Sequence, residues 1–130
     1  MKKILLLVAL FLGLLHAEVI NQPASEALLK QHIPVVDIRT PGEWKETGIL
    51  KGSIPIMFFD EKGGYDVDRF MKALSAKVDT GKPFALICRT GSRTGMLAPF
   101  LSKTFGYTVY NLQGGILYAA KAGLPIEPYK

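Results

Sequence analysis

Phe84-Ala85-Leu86-Ile87 is apolar at every position, and no other stretch limits the possible folds of this chain so sharply. A strand with one face in water alternates apolar and polar residues, whereas a strand without a polar face must be covered on both sides. Gly81-Lys82-Pro83 breaks the chain before the run, and Cys88 with a short polar loop follows it. A central parallel strand between two layers of helix is the setting that suits such a segment.

The flanking sequence supplies those layers. Ala24 to Gln31 reads as a short helix with Leu28 and Leu29 inward, and Ile33 to Ile38 as a buried strand. Thr40-Pro41-Gly42-Glu43 starts a helix: threonine caps it, proline takes the first helical position, and Glu43 completes a capping box. Ile54 to Phe59 is a second apolar strand, weakened by Pro55, and Lys62-Gly63-Gly64 is a loop. Asp66 caps a helix in which Val67, Phe70, Met71, Leu74 and Val78 form one stripe. Beyond Cys88, Met96, Leu97, Phe100 and Leu101 mark another helix, which Pro99 is expected to kink or shorten. Thr108 to Leu112 is a strand, and Gln113-Gly114-Gly115 turns into a last helix through Ala122. The expected fold class is α/β, a parallel sheet covered by helices on both faces.

Residues 1–17 read differently. Met1-Lys2-Lys3 is followed by the uncharged run Ile4 to Leu15, and the small residue Ala17 closes it, which is the layout of a secretory signal. Twelve apolar residues are too few for a membrane span, which needs about 20. No cysteine follows the run, so a lipid anchor there is excluded and no stable membrane anchor is expected. The expected organisation is a signal peptide over 1–17 and one domain over 18–130, periplasmic or secreted. The mature part keeps 14 basic residues against 11 acidic ones, a balance of +3, because Lys2 and Lys3 leave with the signal. Those charges are scattered, which argues against a nucleic-acid partner.

Cysteine and histidine counts narrow the chemistry. Cys88 is the single cysteine, so no internal disulfide forms, and an odd thiol in an exported protein calls for a reason. His32 is the one histidine of the mature chain and reads as a surface residue. No Cys/His cluster for a metal is present, and no cofactor is expected. Cys88-Arg89-Thr90-Gly91-Ser92-Arg93-Thr94-Gly95 joins the buried strand to a helix, and sites in such sheets lie at the carboxyl ends of strands. A short loop with a central glycine can turn successive N–H groups inward and favour an anion. With Arg89 and Arg93 beside it, the thiol is expected to ionise readily and to act as a nucleophile without a histidine base. A cysteine at a strand end is commonly a small buried hydrophobe, but the polar, basic residues after this one favour chemistry.

In these segments the sequence resembles the rhodanese homology family of single-domain sulfurtransferases. The loop Cys88 to Arg93 matches, as do Val36-Asp37-Ile38-Arg39-Thr40-Pro41-Gly42-Glu43-Trp44, Gly48 and Gly52-Ser53-Ile54-Pro55. Leu112-Gln113-Gly114-Gly115-Ile116 with Gly123-Leu124-Pro125 is similar to the closing motif. Ile49 stands where many members have His, and Tyr118 where a Trp is common. The resemblance implies that Cys88 takes a sulfane sulfur as a persulfide. It also implies that Arg89, Thr90, Gly91, Ser92 and Arg93 surround that sulfur, with the two arginines attracting an anionic donor such as thiosulfate. Asp37, Arg39 and Glu43 are expected to tie the first strand to its helix, Trp44 to lie in core or rim, and Gly114 and Gly115 to serve a turn. The acceptor would be cyanide, a thiol or a protein. Two alternatives stay open: a Cys-dependent phosphatase or arsenate reductase of the same fold, and a non-catalytic module that binds an anion or a protein. Four residues separate Cys88 from Arg93, where the phosphatase pattern has five.

Overall fold

The computed structural model describes residues 17–130, so the proposed signal lies, apart from Ala17, outside the described residues. In chain order the strands are β1 (Val19–Pro23), β2 (Val35–Asp37), β3 (Ile49–Leu50), β4 (Ile54–Pro55), β5 (Phe84–Ile87), β6 (Val109–Gln113) and β7 (Ile126–Glu127). The helices are α1 (Glu26–Lys30), α2 (Pro41–Thr47), α3 (Val67–Lys77), α4 (Ser92–Phe105) and α5 (Gly115–Lys121). Five strands make a parallel sheet in the order β1-β6-β5-β2-β4, with the apolar run β5 at its centre.

Alternation along β5 sorts the core into two layers. Leu86 joins Val36, Phe70, Leu74, Leu97 and Leu101 under α3 and α4. Ala85 and Ile87 join Leu28, Leu112, Ile116 and Ala119 under α1 and α5. Cys88, two residues after Leu86, therefore falls on the α4 side. Leu86 and Leu101 are wholly enclosed, each burial favouring the fold by roughly 1.5–3 kcal/mol.

The exit of β2 is built from side chains. Arg39 is wholly buried: its Nε donates to Asp37 Oδ1 at 3.0 Å, and its Nη2 to Asp37 Oδ2 at 2.9 Å. Nη1 and Nη2 also reach Thr47 Oγ1 at 2.9 Å and the Gly48 carbonyl at 3.0 Å, at the far end of α2. Trp44 Nε1 donates to Asp37 Oδ1 at 3.0 Å, and Thr40 with Glu43 forms the expected capping box. Both ends of α2 are thereby fastened to β2.

Several elements differ from the sequence reading. β1 was not anticipated; it adds an edge to the sheet by pairing with β6. The run from Ile54 holds only two strand residues because Pro55 has no N–H, yet Ile56 and Phe58 still donate to the Asp37 and Ile38 carbonyls at 3.0 Å. Pro99 does not shorten its helix: α4 runs for 14 residues through it. The lost bond falls on exposed Gly95, where water reaches, while buried Leu97, Ala98 and Leu101 hold the helix to the sheet. Met96 and Phe100, on the other side of α4, are exposed. Ile49 is buried in β3, which pairs antiparallel with β7, and Tyr118 is exposed on α5.

Candidate active site

The thiol of Cys88 is enclosed at the carboxyl end of β5. Gly91 N–H donates to its Sγ at 3.2 Å, and Thr94 Oγ1 lies 3.6 Å from it. Gly91 can make that contact because it adopts φ 103°, a left-handed conformation that a side chain would strain. It is also the N-cap of α4 and gives that helix no side-chain cap, so the sulfur stands at an uncapped helix start.

The second helix start turns the loop. Ile116 N–H donates to the Cys88 carbonyl at 2.8 Å, and Leu117 N–H to the Arg89 carbonyl at 3.2 Å. Across a trans peptide the N–H points opposite the carbonyl, so the amides of Arg89 and Thr90 point away from α5. The approach requires glycine at 115: a Cβ there would run into the Arg89 carbonyl. Gly114 and Gly115, both at positive φ, thus serve the turn expected of them and also the shape of the cysteine loop.

The two arginines have separate surroundings. Arg93 donates to both carboxylate oxygens of Glu43, at 2.8 and 2.7 Å, joining the start of α4 to the first turn of α2. The Arg93 guanidinium holds the Glu43 carboxyl down at about 2, well below the ordinary carboxylate range, and Glu43 in turn raises Arg93. Arg89 is partly exposed, with Glu46 at 3.8 Å, a distance at which a surface pair contributes little. Arg89 is therefore the loop cation better placed to meet an anion from solvent. Thr90 and Ser92 are exposed, and Gly91 is half-buried between them. An open depression of about 600 Å³ lies beside the loop, lined by Glu43, Phe59, Asp60, Glu61, Arg93 and Met96.

The structure thus gathers Cys88, Gly91 and Thr94 around one sulfur, with Arg89 at the surface and Arg93 held by Glu43. In the sequence Thr94 stands only as part of the segment that joins β5 to a helix. Its contact with Sγ was detectable as one helical turn between Gly91 and residue 94, which brings the hydroxyl back over the loop. Asn111, on β6, accepts from Thr94 and carried no signal in the sequence at all.

Comparisons with known proteins agree with this architecture. The family model described as Rhodanese-like domain matches residues 21–121. An uncharacterized protein of Rickettsia prowazekii is 30% identical over 91 residues, 68% of this chain and 72% of that protein. A rhodanese-related protein of Thermoplasma volcanium is 23% identical, with a TM-score of 0.62 over 86% of this chain and 100% of its own. A protein of unknown function from Rhodopseudomonas palustris, described as a "Possible Tyrosine Phosphatase", is 29% identical, with a TM-score of 0.55 over 78% of this chain and 77% of its own.

Proposed function

The chain belongs to the rhodanese-like domain family, and from that premise we propose that it is a sulfurtransferase working through a persulfide on Cys88. The Cys88 thiolate attacks the outer sulfur of an anionic donor such as thiosulfate. An S–S bond forms at Sγ, the S–S bond of the donor breaks, and sulfite leaves with the electron pair. A cyanide, thiolate or protein thiolate then attacks the outer sulfur, and Cys88 departs as the thiolate. Arg89 draws the donor in, and the Arg89, Thr90 and Gly91 amides face the sulfur as it changes partner. With no second cysteine in the chain to displace it, the persulfide waits for an outside acceptor.

One observation carries this reading: the loop closes on a single sulfur. Gly91 N–H already lies 3.2 Å from Sγ, and Arg93, five residues past Cys88, is fastened to Glu43. A tetrahedral oxyanion on the thiolate needs a wider ring of donors than one sulfur atom does. The test is the intact mass after incubation with thiosulfate, which is expected to rise by one sulfur in the wild type and not in Cys88→Ser. The resemblance to the Rhodopseudomonas palustris protein motivates a second reading, a Cys-dependent phosphatase. Aryl phosphate hydrolysis that disappears in Cys88→Ser, without any sulfur transfer, would replace the first reading by the second.

The layout of residues 1–17 supports a further part of the proposal: the mature domain begins near Glu18 and works in the periplasm or outside the cell. N-terminal sequencing of protein from the envelope fraction is expected to start there. A chain beginning at Met1 in washed membranes would refute it.

A further inference from the structure

Thr94 has one hydroxyl proton and three groups within reach. Asn111 Oδ1 is 2.6 Å from its Oγ1, the Gly91 carbonyl oxygen 3.2 Å and Cys88 Sγ 3.6 Å. Asn111 is oriented from its other end, where Nδ2 donates to Asn21 Oδ1 at 2.9 Å, so its carbonyl oxygen faces Thr94. The two asparagines stand side by side because the register of β1 on β6 pairs Asn21 with Asn111. An amide oxygen at 2.6 Å can only accept, so the Thr94 proton goes to Asn111 and a lone pair of Thr94 faces the sulfur. All donors then point one way: Cys88 S–H to Thr94, Thr94 to Asn111, Asn111 to Asn21 on the exposed edge strand. Hydrogen bonds in such a row reinforce one another.

We propose that Asn111, fixed by Asn21, is a positioning residue that turns the Thr94 hydroxyl away from Cys88 and so restrains the thiol. A sulfur that keeps its proton fits the row as its first donor. A sulfur without one, whether thiolate or the Sγ of a persulfide, meets a lone pair unless the hydroxyl swings round and gives up Asn111. Removing Asn111 frees that proton for the sulfur. The proposal rests on Cys88 being the reacting group of the proposed function, but not on which group it carries.

The experiment measures the rate of Cys88 alkylation by iodoacetamide at one neutral pH, in full-length variants. Asn111→Leu is expected to react about fivefold faster, the scale of one hydrogen bond. Asn21→Ala, an exposed change, lets the Asn111 amide turn and should react about twofold faster, part of that one bond. Thr94→Val removes the lone pair that faces the sulfur and should also react faster, and Thr94→Val with Asn111→Leu should match Thr94→Val alone, since Asn111 acts through Thr94. A purely structural role for Asn111 predicts no acceleration. An unchanged or slower rate in either asparagine variant or in Thr94→Val with a native circular dichroism spectrum, or a double variant faster than Thr94→Val alone, overturns the proposal. Sulfur transfer is assayed in parallel on the wild type. Its absence rejects the sulfurtransferase reading and leaves the alkylation result standing.

Discussion

The exits of β2 and β5 are neighbours in the sheet, and each feeds a helix within a few residues, yet they are built from opposite materials. After β2, charged and aromatic side chains occupy almost every polar position: Asp37 holds Arg39 and Trp44, and Thr40 with Glu43 caps α2. After β5, the sulfur meets one main-chain N–H, that of Gly91, and one hydroxyl, that of Thr94, with Gly91 at a helix start that no side chain caps. A satisfied ion pair has no bond left to offer a ligand, whereas uncapped N–H groups do. The charged side chains after β2 are therefore scaffold, and the proposed chemistry falls to the loop after β5.

This contrast yields a graded set of outcomes. Cys88→Ser is expected to abolish sulfur transfer and leave the thermal transition nearly unchanged, since serine fits the same enclosed place. Gly115→Ala should lower transfer on the order of hundredfold, the cost of displacing a reacting group by about an ångström, because its Cβ would press on the Arg89 carbonyl. Asp37→Ala should reverse the pattern. Leaving the Arg39 guanidinium buried and unpaired costs about 3–5 kcal/mol in denaturant unfolding, while transfer per folded molecule stays near wild type. A matching loss of specific activity would break the distinction between the two exits. Thr40→Ala, which removes a helix cap, should cost only about 1 kcal/mol.

The smallest effect sharpens the comparison at the shorter of the two ion pairs that join the exits, Glu43–Arg93. Glu43 is held at about 2 in the folded protein against an ordinary 4.5, so the pair stabilises fully above 4.5. That contribution fades as pH falls toward 2. The stability gap between wild type and Glu43→Gln should therefore persist from neutral pH down to about 4.5 and close on further acidification. A gap that does not narrow in acid would show that the pair contributes nothing through its charge.

Local signals carried the reading wherever one residue type forces one conformation. The capping box at Thr40, the unbroken apolar run of β5 and the glycines at 114 and 115 all belong to this kind. β1 escaped notice because Val19-Ile20-Asn21-Gln22-Pro23 gains its hydrogen bonds from a partner far along the chain, and five residues show too little periodicity to reveal that. β3 and β7 are two residues each and exist only as a pair. Pro99 misled for the converse reason: packing under α4 outweighed a local penalty. At the site, Cys88 and its loop were legible from the order of residue types. The pairing of Arg93 with Glu43 and the row through Asn111 were not, because side chains 50 and 17 residues apart meet only after the sheet has formed.

The edge strand also fixes an order of events. Asn21 meets Asn111 across a separation of 90 residues, so the first strand among the described residues docks on the last but one. Closing so long a loop costs more chain entropy than pairing β5 with β2 or β6. Until Val109 to Gln113 arrive, both Val19 to Pro23 and the open side of β5 present unpaired backbone groups. Such edges invite pairing between molecules. A nascent or truncated chain that stops short of residue 109 is thus the form of this protein most prone to aggregate.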